Sequence, residues 1–452
     1  MRKNFNLRTT VSLAGSLLGS FLLVLLSCAT PVFAATGSQP NIPAFSPGNI
    51  AWVLASTALV LLMTPALGFF YGGMVRKKNV LNTLSLSFVT IATVSFIWIL
   101  WGYSLSFGPD AFGGLIGNFK YLGLGGMGAN RHSRYAPTIP SFVFVMFQLM
   151  FAIITVALIS GSLVERIKFS SWVIFTVIWL TVVYAPIAQW VWGIGGIFEK
   201  MGVLDFAGGT VVHISAGFAG LAGALVLGKR KGYMKENIVQ PNQLGYTILG
   251  AGLLWFGWFG FNAGSALAAN SVAASALLAT NTAAASAAVG WMIAEWIRNG
   301  KPTSLGIVSG AITGLAAITP ASGYVTPLAA IVIGLIASII CFSVVVFIKP
   351  KLGYDDALDV FSVHGVGSVW GVFATGLFAD PLINKAGRGL FYGNPGQVWI
   401  QVITIIAVAA YSFILSFIIF KAIDLVIGLR VDKDSETMGL DITQHEETGY
   451  NL

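Results

Sequence analysis

The stretch FAGGTVVHISAGFAGLAGALVLG (206–228) decides how this chain is read. About 20 apolar residues suffice for a helix to cross a bilayer, and this run has that length. It nevertheless carries His213. A second run, VFSVHGVGSVWGVFATGLFA (360–379), repeats the pattern around His364, and the chain has only four histidines. An ionisable side chain at membrane depth is costly and points to function. The bland reading is a pair of satisfied core histidines, each bonded to a carbonyl or hydroxyl. Two of them in matching positions of two related halves weigh against it.

Around these runs the composition is that of a membrane bundle. Of 452 residues 56% are hydrophobic and 9% charged, against about 25% charged in soluble domains. The 53 glycines suit close helix packing in lipid. Eleven apolar spans are expected, near 50–72, 80–104, 141–163, 170–192, 208–227, 244–267, 272–294, 304–319, 328–348, 361–379 and 398–426. The expected fold is therefore an all-α membrane protein. Residues 1–34 read as a cleaved signal peptide: Arg2, Lys3 and Arg8 precede an apolar core, and Val32-Phe33-Ala34 offers a cleavage site. A lipoprotein signal ending at Cys28 and a retained first helix are the rivals. Cys28 and Cys341 support neither a disulfide framework nor a metal site, and Cys341 reads as a small packing residue.

Lysine and arginine set the expected orientation. Sixteen lie in loops after odd-numbered spans and in the tail, against six in the opposite loops. The positive-inside rule then puts the N-terminus outside and the 429–452 tail in the cytoplasm, in the cell's inner (plasma) membrane. The net charge of +8 reflects topology, and the scattered basic residues give no support to a nucleic-acid partner. Spans 1–5 and 6–10 read as inverted five-helix repeats, followed by a final long helix. The two histidines occupy equivalent spans and would meet at mid-membrane. Phe107 to Pro140 reads as a Gly-rich external loop, and 429–452 as an exposed polar tail suited to partner contact.

Neutral imidazole both donates and accepts hydrogen bonds, and burial favours the neutral form. A facing pair suits a small polar solute or a proton relay and suits a bare cation poorly. Asp205 precedes Phe206-Ala207-Gly208-Gly209-Thr210 and reads as a helix cap organising the outer mouth. Asp359 reads as the equivalent cap on span 10. Glu165 reads as a loop residue ion-paired among Arg166 and Lys168. Phe151, Trp192, Phe261 and Ser265 permit a cation–π site at the outer mouth without being singled out by pattern.

Five motifs in order resemble the ammonium transporter/methylammonium permease/Rhesus family: FFYGG (69–73), LDFAGGTVVHI (204–214), GWFGFNAGS (257–265), ITPASGY (318–324) and DVFSVHG (359–365). With Trp192, Ser265 and the tail motif GLDIT (439–443), the chain looks most like the bacterial and plant branch. The resemblance covers residue 48 to the tail apart from the external loop near 108–140, with 48–428 as the transmembrane domain. It implies eleven helices in two inverted halves and a homotrimer with one pore per subunit. It also implies Phe151, Trp192 and Ser265 as the recruitment site for ammonium, and Phe151 and Phe261 as a stacked gate. His213 and His364 would form the pore-lining pair, and Asp205 would support the mouth. A PII-type regulator of the GlnK kind is the implied cytoplasmic partner; no enzyme activity, cofactor or metal is implied.

The expected function is recruitment of the ammonium cation, its deprotonation, and conduction of ammonia, with or without separate transfer of the proton. Three rivals remain: an ammonium sensor acting through a partner, a b-type haem protein using the histidines as axial ligands, and a cation-coupled transporter of a larger solute.

Overall fold

The computed structural model describes residues 43–234 and 241–450. The expected signal peptide, with Cys28, lies outside them. Among the described residues no strand forms beyond isolated bridges, and ten helices are long and apolar enough to cross a membrane. In chain order they and one shorter apolar helix are α1 (Pro47–Met74), α2 (Lys77–Phe107), α3 (Ser141–Leu163), α4 (Phe169–Val191), α5 (Gly209–Leu227), α6 (Leu244–Gly264), α7 (Ser271–Asn299), the shorter α8 (Ser304–Ile318), α9 (Pro327–Leu352), α10 (Phe361–Phe378) and α11 (Gly396–Ile427).

Local chemistry sets the ends. Ser46 accepts from Asn49 N and Pro47 opens α1, where the missing N–H of proline costs nothing. Asn270, Thr303 and Thr326 cap α7, α8 and α9 through their side-chain oxygens. Gly300 closes α7 at φ +75°, a conformation that favours glycine.

The packing has an internal repeat. The pairs α1·α3, α3·α5 and α2·α4 recur as α6·α8, α8·α10 and α7·α9, and α1 runs along α6. On α6, Gly250, Gly257, Gly260 and Gly264 bring its backbone against α1. Helices α4 and α9 each contain a π-helical turn (Leu180–Tyr184 and Val344–Ile348). Helices α5 and α10 each open with one (Gly209–Ile214 and Phe361–Val366). The halves are inverted. Arg230, beyond the end of α5, pairs at 2.9 Å with Asp355, ahead of α10. At the other end Tyr324 meets Phe206, ahead of α5, edge-on, and its carbonyl accepts from Asp380 N, beyond α10. Helix α11 lies across α5 and α10.

Two expectations need correction at the Glu165 end of the bundle. The tail, expected to be exposed, is folded against the bundle up to residue 450. Its short helices α12 (Lys433–Met438) and α13 (Leu440–His445) are tied down by side chains. Glu436 accepts from Lys231 N and pairs with Arg430, both at 2.7 Å. Leu440 N donates to Asn79 Oδ1, and Asn82 N to Asp441 Oδ1. Composition registers the tail's charges but not that turns elsewhere in the chain supply their partners. Glu165 is not paired with its neighbours in sequence: it is fully buried between Arg76 (2.8 Å) and Arg230 (2.9 Å).

Candidate functional site

A line of rings runs through the bundle between two cavities. The cavity at the Trp192 end is about 160 Å³ and is walled by Phe107, Tyr135, Phe144, Phe151, Trp192 and Phe206, with Gln148, Ser265 and Leu267. The one at the Glu165 end is about 60 Å³ and reaches from Asp359 and Leu358 to His364. Between them Phe151 and Phe261 lie 4.2 Å apart with their planes tilted by 31°, Phe261 is 5.9 Å from His213, and His213 stacks on His364 at 5.2 Å. Trp192 meets Phe151 edge-on at 5.9 Å.

Asp205 builds the upper rim. Its carboxylate accepts from the backbone N–H groups of Gly208, Gly209 and Thr210 and from the Thr210 hydroxyl. That capping satisfies the free donors at the start of α5. Burial pushes the Asp205 carboxyl up and these donors oppose the shift, which remains upward. The Asp205 carbonyl in turn accepts from Trp192 Nε1 at 3.0 Å, so the cap also orients the indole. Gly208, at φ +112°, lets the chain pass Trp192: a side chain there would sit 3.2 Å from the indole edge. Ser265 donates to the Phe261 carbonyl at 2.8 Å, which leaves its oxygen lone pairs free to accept from a solute at the mouth.

The Nδ1 atoms of His213 and His364 are 3.2 Å apart. A hydrogen bond between two neutral imidazoles needs one donor and one acceptor, so the rings are opposite tautomers. Their Nε2 atoms therefore present one acceptor and one donor along the line. His213 Nε2 is buried and has no partner among the described residues. Such an orphan is unusual in an interior and marks a place where a polar solute fits. The rings meet because α5 and the first turn of α10 touch backbone to backbone at Gly217 and Gly365. Trp258 backs His213 at 5.4 Å, held by its Nε1 bond to Thr319.

All the expected pore and mouth residues, Phe151, Trp192, Ser265, Phe261, His213 and His364, fall on this one line. Asp359 does not act as the cap of α10. It sits at φ +61° and pairs with Lys349 at 2.6 Å, while Asp356 accepts from Phe361 N at 2.8 Å. Asp359 lies in a left-handed turn with its carboxylate on Lys349, and the carboxylate five residues before Phe361 takes the N–H instead. Sequence reasoning also missed Tyr135, which stacks on Phe144 at 4.8 Å and bonds the Phe107 carbonyl, bringing the 107–140 segment over the mouth. Its only signal is an aromatic in a Gly-rich loop.

The Glu165 end is held by a buried charge cluster. Burial alone would raise the Glu165 carboxyl, but Arg230 and Arg76 hold it down at about 2. Asp355 is likewise lowered against burial by Arg166 and Arg230. Among the described residues no group of histidine, cysteine and carboxylate side chains could hold a metal ion.

A multi-pass membrane protein with a narrow ring-lined passage is the class these features define. The model of the Ammonium Transporter Family matches residues 51–450, and the chain belongs to that family. It is 50% identical over 404 residues to the ammonium transporter of Bacillus subtilis, covering 89% of this chain and 98% of the relative. The crystal structure of Candida albicans Mep2 superposes with a TM-score of 0.81 at 35% identity, over 86% of this chain and 88% of that one. A structure titled Sensor Amt Protein matches with a TM-score of 0.81 at 29% identity, over 88% and 98% of the two chains.

Proposed function

We propose that this protein moves ammonium nitrogen across a membrane as ammonia. Trp192, Phe151 and Ser265 collect the cation at the outer mouth; Phe151 and Phe261 form the gate; His213 and His364 carry the neutral molecule onward. Asp205 supports the mouth, with the N-terminus outside and the tail cytoplasmic, as the Lys/Arg distribution favours. The carrying observation is the 3.2 Å imidazole pair at the end of a ring-lined passage.

The energetics favour deprotonation. Cation–π contacts with Trp192 and Phe151 supply about 0.5–2 kcal/mol each. Carrying a bare cation through a dry passage costs on the order of tens of kcal/mol. Once ammonium loses a proton, the neutral molecule passes the phenyl rings and finds both an acceptor and a donor on the imidazole pair. Potassium has no proton to lose, so the same passage excludes it. The proton returns to the outer side or follows along the pair. Residues 48–428 form the transporting domain, the unit is a homotrimer, and a PII-type protein is the regulator suited to the tail face. The sensor reading rests on the likeness to the Sensor Amt Protein structure and has the tail signal through a partner.

The test is a current recording on proteoliposomes given an ammonium pulse with a potassium control. The variant carrying His213→Ala and His364→Ala is expected to lose ammonium transport or its selectivity. Unchanged current and selectivity would sink the proposal.

A further inference from the structure

Residues 203–208 reach the start of α5 without regular structure, and they carry the carboxylate and the carbonyl that shape the mouth. Irregular backbone inside a membrane bundle needs hydrogen-bond partners from other elements. Val203 N donates to the Phe198 carbonyl and Phe206 N to the Pro320 carbonyl. Further partners come from α11. Gln401 accepts from Leu204 N at 2.9 Å through Oε1 and donates to the Leu204 carbonyl at 2.7 Å through Nε2. One side chain thus holds both backbone groups of the residue before Asp205, as a paired strand would.

This amide has no spare capacity. Nε2 also donates to the Val372 carbonyl on α10 at 3.2 Å, and Oε1 also accepts from Gln397 Nε2 at 3.2 Å. Two donors and two lone pairs are all that a carboxamide offers. Turned over, the group would set its NH2 against two donors and its oxygen against two carbonyls, so its orientation is fixed. Gln397, one turn earlier on α11, donates to the Gly202 carbonyl at 3.0 Å. Both glutamines are buried, Gln401 completely. Gly376 of α10 lets α11 come this close: a Cβ there would lie 3.0 Å from Gln401 Cγ.

We propose that Gln401 is a positioning residue for the cation mouth, acting on Trp192 through the backbone at Asp205. The proposal rests on the transport function argued above. The clamp on Leu204 fixes the peptide that leads into Asp205, whose carbonyl holds Trp192 Nε1 at 3.0 Å. The bond to Val372 ties the same peptide to α10, the helix of His364. Helix α11 belongs to neither repeat and adds no ring to the line, yet it sets where the indole stands over the passage. The histidine pair has its own contact at Gly217 and Gly365. Loosening the clamp therefore disturbs capture of the cation and spares the later passage.

Ammonium-elicited current is recorded on proteoliposomes over a range of ammonium concentrations and normalised to folded protein. Gln401→Leu leaves both backbone groups of Leu204 unmet. It is expected to raise the half-saturating concentration about tenfold and to keep the maximal current within about twofold. Gln397→Leu spares the Leu204 clamp and should raise the half-saturating concentration about two- to threefold. Beside Trp192→Leu, adding Gln401→Leu should change it by less than about twofold, since both act through one indole. A structure of Gln401→Leu supplies a readout independent of transport: the indole should leave the Asp205 carbonyl. A maximal current that falls at an unchanged half-saturating concentration overturns the proposal, as does a fully additive effect beside Trp192→Leu. So does an indole that keeps its 3.0 Å bond to Asp205. If Gln401→Leu does not fold, an unchanged half-saturating concentration in Gln397→Leu overturns it. Absence of current from the unsubstituted protein would instead refute the transport reading, and the position of the indole would still test Gln401.

Discussion

Gly217→Ala tests the geometry of the histidine pair without touching either imidazole. A Cβ at residue 217 would lie 2.3 Å from Gly365 N and 2.4 Å from Gly365 Cα. Non-bonded carbon contacts settle near about 3.5 Å, so α5 and the first turn of α10 must separate by roughly 1 Å. Both partners are backbone and cannot swing aside. Opening along the line between the rings would take the Nδ1 atoms from 3.2 Å to beyond hydrogen-bond reach, about 4 Å. Overpacking of this kind costs about 1–3 kcal/mol, which a membrane bundle of this size can absorb without unfolding. A misplacement near 1 Å at a working site costs roughly ten- to a hundredfold in rate. The expected result is a correctly assembled protein whose ammonium-elicited current in proteoliposomes falls by at least about tenfold. Gly252→Ala is the control: its Cβ meets nothing within 4 Å, and helix propensity favours alanine by about 1 kcal/mol. Full current and selectivity from folded Gly217→Ala protein would refute the link between this backbone contact and transport.

Other outcomes follow from the same geometry. Trp192→Leu removes one cation–π wall, worth about 0.5–2 kcal/mol, and should raise the half-saturating ammonium concentration about two- to thirtyfold in the same current assay. Glu165→Gln leaves Arg76 and Arg230 with a buried neutral partner and should lower thermal stability by about 3 kcal/mol at neutral pH. The Glu165 carboxyl is held at about 2, below its ordinary 4.5. In the native protein its contribution is therefore full above the ordinary value and fades as pH falls toward 2. Thermal unfolding of Glu165→Gln should show a weaker acid dependence over that window. Asp356→Ala removes the oxygen that accepts from Phe361 N and should cost about 1 kcal/mol in thermal unfolding. Asp359→Asn, on a partly exposed ion pair, should cost less than about 1 kcal/mol.

Much of the architecture could be read from the chain because lipid is a strict solvent. A backbone crossing it must satisfy its own hydrogen bonds, so long apolar runs become helices whatever their neighbours. The expected spans therefore lie close to the observed helices, and His213 and His364 stood out as polar groups in apolar runs. The mouth residues were reached only through motif likeness, since Phe151 and Trp192 look like any lipid-facing aromatics.

What the sequence by itself determined was the class of the fold, its repeat and the residues that had to be explained. Those follow from local composition and periodicity. Tertiary structure alone decided which carboxylate caps α10, because the left-handed turn at Asp359 and its pairing with Lys349 leave the Phe361 N–H to Asp356. It also decided that Glu165 joins Arg76 and Arg230 across the bundle, and that the charged tail packs on the turns. Each of these depends on partners distant in sequence. The two imidazoles reach hydrogen-bond distance for the same reason: glycines at 217 and 365, 148 residues apart in the chain, let two backbones touch.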